Sequence, residues 1–260
     1  MTSLVTGVYQ QADATIRFDW GSEGAGATAT GAGIVVIVDV LSFTTTLSIA
    51  VDHGIEVFPY RLRDASAAAF AASRGAVLAV GRSEAGSSGV SLSPLSVRAA
   101  AAANGPLAKA PRLVLPSPNG SAIAKNMADR GAVVVGACLR NAAAVARWIV
   151  QYGHGQPVAV IASGERWPGD LLRPAVEDMW GAGAVIAELQ NMGIRTSSPE
   201  ADAAVATYRD VKGRLVLALQ ACASGRELTA DGFGAEIPVA AELGASSVVP
   251  ILRGEAFIAA

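Results

Sequence analysis

Only two cysteines, Cys138 and Cys222, occur in 260 residues, too few for a disulfide framework and in keeping with a reducing compartment. Lysine is almost as scarce, with Lys109, Lys125 and Lys212 alone, and no Lys/Arg block exists. The 20 basic residues against 22 acidic ones leave a net charge of -2, so no nucleic-acid surface is expected. Apolar runs such as VVVGACL are strand-length and too short to cross a bilayer. The opening MTSLVTGVYQQADATIRFDWG shows neither the basic nor the apolar region of a signal peptide. The expected location is therefore the cytoplasm, with no membrane partner.

Several catalytic signatures are missing too. No G-x-x-x-x-G-K-[ST] is present, which excludes a P-loop NTPase. Six positions after the cysteines stand Ala144 and Leu228, not the arginine of cysteine-based phosphatases. Leu41 lies two positions after Asp39, where haloacid-dehalogenase-type phosphatases carry a second aspartate. The G-x-G pairs at 24–26 and 181–183 do not follow a strand and open a helix, so a dinucleotide fingerprint is not supported. His53 and His154 adjoin glycines at expected helix ends, where surface placement is the simpler reading.

What the chain does have is 52% hydrophobic residues, enough for one large core. A β-branched run, a polar or Gly-rich turn and an alanine-rich amphipathic segment recur four times, at GIVVIVDVLSFTTTLSIAVDHG, RLVLPSPNGSAIAKNMADRG, AVVVGACLRNAAAVARWIVQYG and the stretch from PVAVIASGERWPGD to AVIAELQNMG. This predicts an α/β fold, parallel strands covered by helices on both faces. Residues 21–33, GSEGAGATATGAG, and 82–94 read as long loops, RLVLAL near residue 216 as a strand, and SSVVPIL as a last strand. No linker divides the chain, so 1–260 is expected to be a single domain.

In such a sheet the strand-to-helix turns gather at one edge, where helix N-termini offer N–H groups to anions. IVVIVDVLSFTTT would deliver Asp39, Ser42, Thr44, Thr45 and Thr46 there. Capping explains one such residue, but not a carboxylate with four hydroxyls. The other turns bring Ser117, Asn119, Gly120 and Ser121; Cys138, Arg140 and Asn141; and Ser163, Glu165 and Arg166. Amide, hydroxyl and guanidinium donors together suit a phosphorylated or otherwise anionic small molecule. Glu177 and Asp178 are adjacent on an expected helix, where they are either surface acids or ligands for a hard cation such as Mg2+. Gly181 and Gly183 on that helix predict the close approach of another element. SGRE at 224–227 fits a capping box, leaving Arg226 to serve an anion.

The ordered set VVIVDVLSFTTTL, LSPLSV, PSPNGSAIA, ACLRNAAAVA, EDMWGAGAV and SGRELTADGFGAEIPVAAELGASSVVPIL resembles the 2-phosphosulfolactate phosphatases, over residues 34–252. The resemblance implies a three-layer α/β/α fold with a largely parallel or mixed sheet and two intertwined halves around a cleft. It also implies a Mg2+-dependent hydrolase of a small sulfonated or carboxylated phosphoester. Asp39 would ligate the metal or act as nucleophile or base, with Glu177 and Asp178 in the metal shell. Arg140, Arg166 and Arg226, with Thr44, Thr45, Asn119, Gly120, Ser121 and Asn141, would hold the phosphate. Where such proteins carry DVLRATTT this chain has DVLSFTTT, with Ser42 at the arginine position and Phe43 at the small one, and GRSEAG shifts Arg82 and Glu84. The alternative is a binding or regulatory protein that recognises a similar metabolite. The apolar content also allows a homo-oligomer.

Overall fold

The computed structural model describes residues 7–61, 65–86 and 89–260. In chain order its elements are β1 (Ile16–Trp20), α1 (Gly21–Thr28), β2 (Ile34–Val38), α2 (Phe43–Asp52), β3 (Glu56–Tyr60), α3 (Ala65–Arg74), β4 (Val77–Leu78), α4 (Pro94–Ala100), α5 (Pro106–Lys109) and β5 (Arg112–Pro116). Then come α6 (Gly120–Asp129), β6 (Val133–Ala137), α7 (Ala142–Tyr152), β7 (Val158–Ala162), the short pair β8 (Glu165–Arg166) and β9 (Leu172–Arg173), and α8 (Val176–Asn191). The chain ends with α9 (Pro199–Val211), α10 (Leu215–Ala221), α11 (Ala223–Ala230), α12 (Ile237–Ala240), β10 (Pro250–Arg253) and β11 (Ala256–Ala259). The expected α/β class is what forms: a large, mostly parallel sheet flanked by helices.

Strands pair in the order β1, β7, β2, β6, β10, β11, β3, β5, β4. One parallel block (β1, β7, β2, β6) and another (β3, β5, β4) are joined through the antiparallel β10–β11 hairpin. Three antiparallel steps separate β6 from β3, so the two blocks run in opposite senses. IVVIV is an unbroken apolar run because β2 is central: Val36 pairs with Val135 on one side and Val160 on the other, and both faces are buried. Helices α2 and α6 touch strands of both blocks. One cluster joins Val35 and Ile37 of the first block, Leu47 and Ile123 of these helices, and Val57 and Leu115 of the second. On the far face of the first block Val38 and Val160 pack with Val145, Val185 and Val205 of α7, α8 and α9.

Three local expectations change. SSVVPIL is not the last strand: β10 begins only at Pro250, and β11 follows it as the second arm of a hairpin. GSEGAGAT forms a helix despite its three glycines, since α1 is packed against β1, α6 and β7, and tertiary burial outweighs poor propensity. LVLALQA is α10, not a strand, with Leu215, Ala218 and Leu219 as its buried stripe. Close approach at α8 is confirmed: a Cβ on Gly181 would lie 2.7 Å from Val38 Cγ1, and one on Gly183 2.2 Å from the carbonyl of Ala204.

Candidate active site

The carboxyl ends of β2 and β5 meet at Asp39. Its Oδ1 accepts from Phe43 N at 3.1 Å and its Oδ2 from Gly120 N at 3.3 Å, so one buried carboxylate serves the first turns of α2 and α6. A Cβ at Gly120 would lie 2.4 Å from Phe43 Cδ1 and 2.9 Å from Asp39 Oδ2, so glycine is what lets α6 come this close. The threonines brace the turn. Thr44 Oγ1 donates to the carbonyl of Asp39 and accepts from its N–H, Thr45 Oγ1 donates to the carbonyl of Val40, and Thr46 Oγ1 to that of Leu92. With their protons committed to carbonyls, Thr44 and Thr45 shape the site and do not offer it donors.

Around Asp39 lies a cavity of about 200 Å³, below the usual range for drug-sized ligands and fit only for a small molecule. Ser42, Arg82, Ser117, Asn119 and Glu165 supply its remaining polar walls. Asn119 Nδ2 donates to Glu165 Oε2 at 3.0 Å, and Arg166 Nε donates to Asn119 Oδ1 at 3.0 Å. A roomier groove of about 540 Å³ includes Arg166, Tyr60 and Lys125. Its acids Asp129 and Glu255 are exposed and paired with Lys125 and Arg74, so the carboxylate cluster belongs to the smaller cavity.

Asp178 and Glu177 are buried on the first turn of α8. Asp178 Oδ1 accepts from Val40 N at 2.7 Å and Oδ2 from Gly164 N at 2.9 Å, so it ties the turn after β2 to the turn after β7. Gly164 sits at φ +67°, the region that glycine tolerates. Burial raises the proton affinity of Asp178, and Asp39 and Glu177 raise it further. Glu165 is lifted from 4.5 to about 7 by burial, then by Asp39 and Glu177, with Arg173 and Asn119 opposing. The folded state therefore holds a proton on Glu165 that the unfolded chain releases, and stability falls as pH rises through the window from 4.5 to about 7. With divalent ions chelated, unfolding free energy should drop by roughly 1–3 kcal/mol between pH 4.5 and 8. Urea titrations should show a slope of that sign, to which Asp178 adds in the same direction, and Glu165→Gln should make it shallower.

The other expected residues lie elsewhere. Arg140 is buried and pairs with Glu242 and, at 3.3 Å, with Asp52. Ser246 Oγ braces Asp52 at 2.6 Å. Arg140 does not line the Asp39 cavity, because the C-terminal loop draws it to the far end of α2. Arg140→Met should destabilise the fold by about 3 kcal/mol, since it strips a buried charge network. The same variant should leave kcat/KM within about threefold, which denaturation and steady-state kinetics would check together. Asn141 is spent inside its turn, accepting from Cys138 N and donating to the carbonyls of Gly136 and Val248. Ser121 Oγ donates to the carbonyl of Leu115, and Arg226 is exposed on α11. The capping box at Ser224 does not form: α11 starts at Ala223, Cys222 Sγ accepts from Gly225 N, and Ser224 Oγ accepts from Arg173 Nη2. Burial, then Glu177, pushes the Cys222 thiol up to about 12, so it is no nucleophile.

Arg82 is the cavity residue that motif reading places least well, while Glu165 is brought to this edge with its turn but given no role. A lone glutamate after Gly164 carries no signature, although it stands at a strand end. Arg82 lies 40 residues from Ser42, yet Arg82 Nη2 donates to Ser42 Oγ at 2.7 Å.

Carboxylates and amide donors gather at strand ends of a largely parallel sheet, the edge at which α/β proteins of this class place their ligand sites. The family model for 2-phosphosulpholactate phosphatase matches residues 23–255, and the chain belongs to that family. It is thus a phosphatase, a phosphoric monoester hydrolase. No curated protein matches the chain.

Proposed function

We propose that the chain hydrolyses the phosphate ester of a small, multiply charged hydroxy acid, 2-phosphosulfolactate or a related phospho-hydroxyacid, with Mg2+ as cofactor. The observation that carries this reading is the cavity in which Asp39 and Glu165 face Asn119, Ser117 and Arg82. Among the described residues no three His, Cys, Asp or Glu side chains form a ready metal cage. Mg2+ does not need one, as it is commonly held by one or two carboxylates, with water and substrate phosphate completing its shell. Asp39 and Glu165 are hard oxygen donors on the same cavity wall, and Asp39 raises the proton affinity of Glu165, a strain that a cation relieves. These two would hold the ion, with Glu177 close enough to act on Glu165 electrostatically.

When bound, the ion polarises the phosphoryl oxygens and offsets their charge. The chain's own part is positioning. Arg166 fixes Asn119 through Oδ1, which orients the Asn119 amide along the cavity wall. The threonine-braced turn fixes Asp39, which would meet the reacting phosphorus as metal ligand or as nucleophile. Phosphate release from 2-phosphosulfolactate, with and without EDTA, tests the reading. Release that needs Mg2+ is expected, and Mg2+ should also flatten the pH dependence of stability set by Glu165. Release that is unchanged by chelation would remove the metal from this account.

A further inference from the structure

Asp39 and Glu165 make the cavity acidic, so a substrate bearing more than one negative group needs a cation inside it. Arg82 is the one cationic side chain on the cavity wall among the described residues. It arrives from the turn after β4, and its guanidinium is fixed before any ligand enters. Nε donates to Glu236 Oε1 at 2.9 Å, while Nη2 donates to Glu236 Oε2 at 2.6 Å and to Ser42 Oγ at 2.7 Å. Glu236 itself is 3% exposed, and the Phe233 ring lies 5.8 Å from the guanidinium carbon. These bonds occupy Nε and both protons of Nη2. The two N–H groups of Nη1 have no partner among the described residues, and the Arg82 side chain stays 19% exposed.

That arrangement has a physical consequence. An unrestrained arginine beside Asp39 and Glu165 would collapse onto one of them and close the cavity. Glu236 takes the charge-charge partnership instead and leaves the two Nη1 donors of a cavity-lining side chain uncommitted among the described residues. A fork so prepared suits a planar or tetrahedral anion. The phosphoryl group is already assigned to the Asp39 end, so the fork is left for the acid portion of the ester.

We infer that Arg82, positioned by Glu236 and Ser42, binds the second anionic group of the substrate and so determines which phosphoesters the enzyme accepts. This rests on the phosphatase reading of the same cavity. The shared chemistry is an anionic oxygen group, carboxylate or sulfonate, carried beside the phosphoester.

The test compares wild type with Arg82→Gln combined with Glu236→Gln, a neutral pair that leaves no buried charge stranded, and with Arg82→Lys. Substrates are 2-phosphosulfolactate and 2-phospholactate, and inorganic phosphate serves as product inhibitor. In the double variant KM for 2-phosphosulfolactate should rise about 30-fold, as for loss of charge-assisted hydrogen bonds, with the phosphate inhibition constant within about threefold of wild type. Arg82→Lys should recover part of the loss. If KM for 2-phospholactate rises equally, the group recognised is the carboxylate; if it does not move, the group is the sulfonate. Equal losses for substrate and inorganic phosphate, or a loss in kcat with KM unmoved, would overturn the assignment. Should wild type release no phosphate from either ester, the phosphatase reading fails by itself. Arg82 is then judged by calorimetry with sulfolactate, which should bind wild type and be about 30-fold weaker on the double variant; equal binding to both, or none to wild type, rejects it.

Discussion

Asp39→Asn should lower phosphate release at least about 10³-fold while moving the melting transition little, a split that separates catalysis from helix capping. An asparagine keeps the size of the side chain, and its oxygen can still accept from Phe43 N or Gly120 N. Its amide nitrogen then faces the other N–H, donor against donor, which costs about 1–3 kcal/mol. Against this, the charge lost is one that raises the proton affinities of Glu165 and Asp178, so its removal relieves repulsion in a buried cluster. The two effects are of similar size and opposite sign, and net stability should stay near wild type. Activity has no such compensation, because a neutral amide is a much weaker ligand for a hard cation than a carboxylate and cannot attack phosphorus. A variant retaining more than about a tenth of wild-type turnover would show Asp39 to be a cap and nothing more. A phosphoenzyme trapped in wild type and missing in Asp39→Asn would make it the nucleophile; its absence from both would leave water as the attacking group. The proton affinity of Glu165 should also fall towards 4.5 in this variant, which the metal-free pH profile of stability reports.

How far the sequence could be read differs from one residue to the next, for physical reasons. IVVIV was legible because a strand covered on both faces has no polar side to show, and a carboxylate at its end is rare enough to stand out. The hydroxyls beside it were legible as a cluster but not as braces, since whether a threonine proton meets a carbonyl or a ligand depends on the curve of the turn. α1 was hidden by Gly21, Gly24 and Gly26, whose propensity argues for a loop and whose small size is what packing against its neighbours uses. Arg140 and Arg166 looked alike, each after a strand end. Only the third dimension gives Arg140 the acids Asp52 and Glu242, and Arg166 the amide of Asn119. Arg82 and Glu236, separated by 154 positions, carry no local mark of their pairing.

The second large effect belongs to Asp178, where the expected metal ligand turns out to hold two backbone N–H groups. Asp178→Ala removes both bonds, to Val40 N and Gly164 N, and leaves two buried donors without partners. The loss should be about 3–5 kcal/mol, read as a shift in the urea midpoint. Asp178→Asn keeps one acceptor and sheds a charge that burial, Asp39 and Glu177 all disfavour, so roughly half of that loss is expected. The kinetic consequence follows from where the two N–H groups sit. Val40 adjoins Asp39 and Gly164 adjoins Glu165, so Asp178 ties together the two turns that carry the cavity carboxylates. A misplacement on the order of 1 Å in such a pair lowers turnover about 10²-fold, and Asp178→Asn should show a fall of that size at saturating Mg2+. If Asp178 works only as this clamp, the Mg2+ concentration for half-maximal rate should stay within about threefold of wild type. A Mg2+ requirement raised tenfold or more would instead return Asp178 to the metal shell.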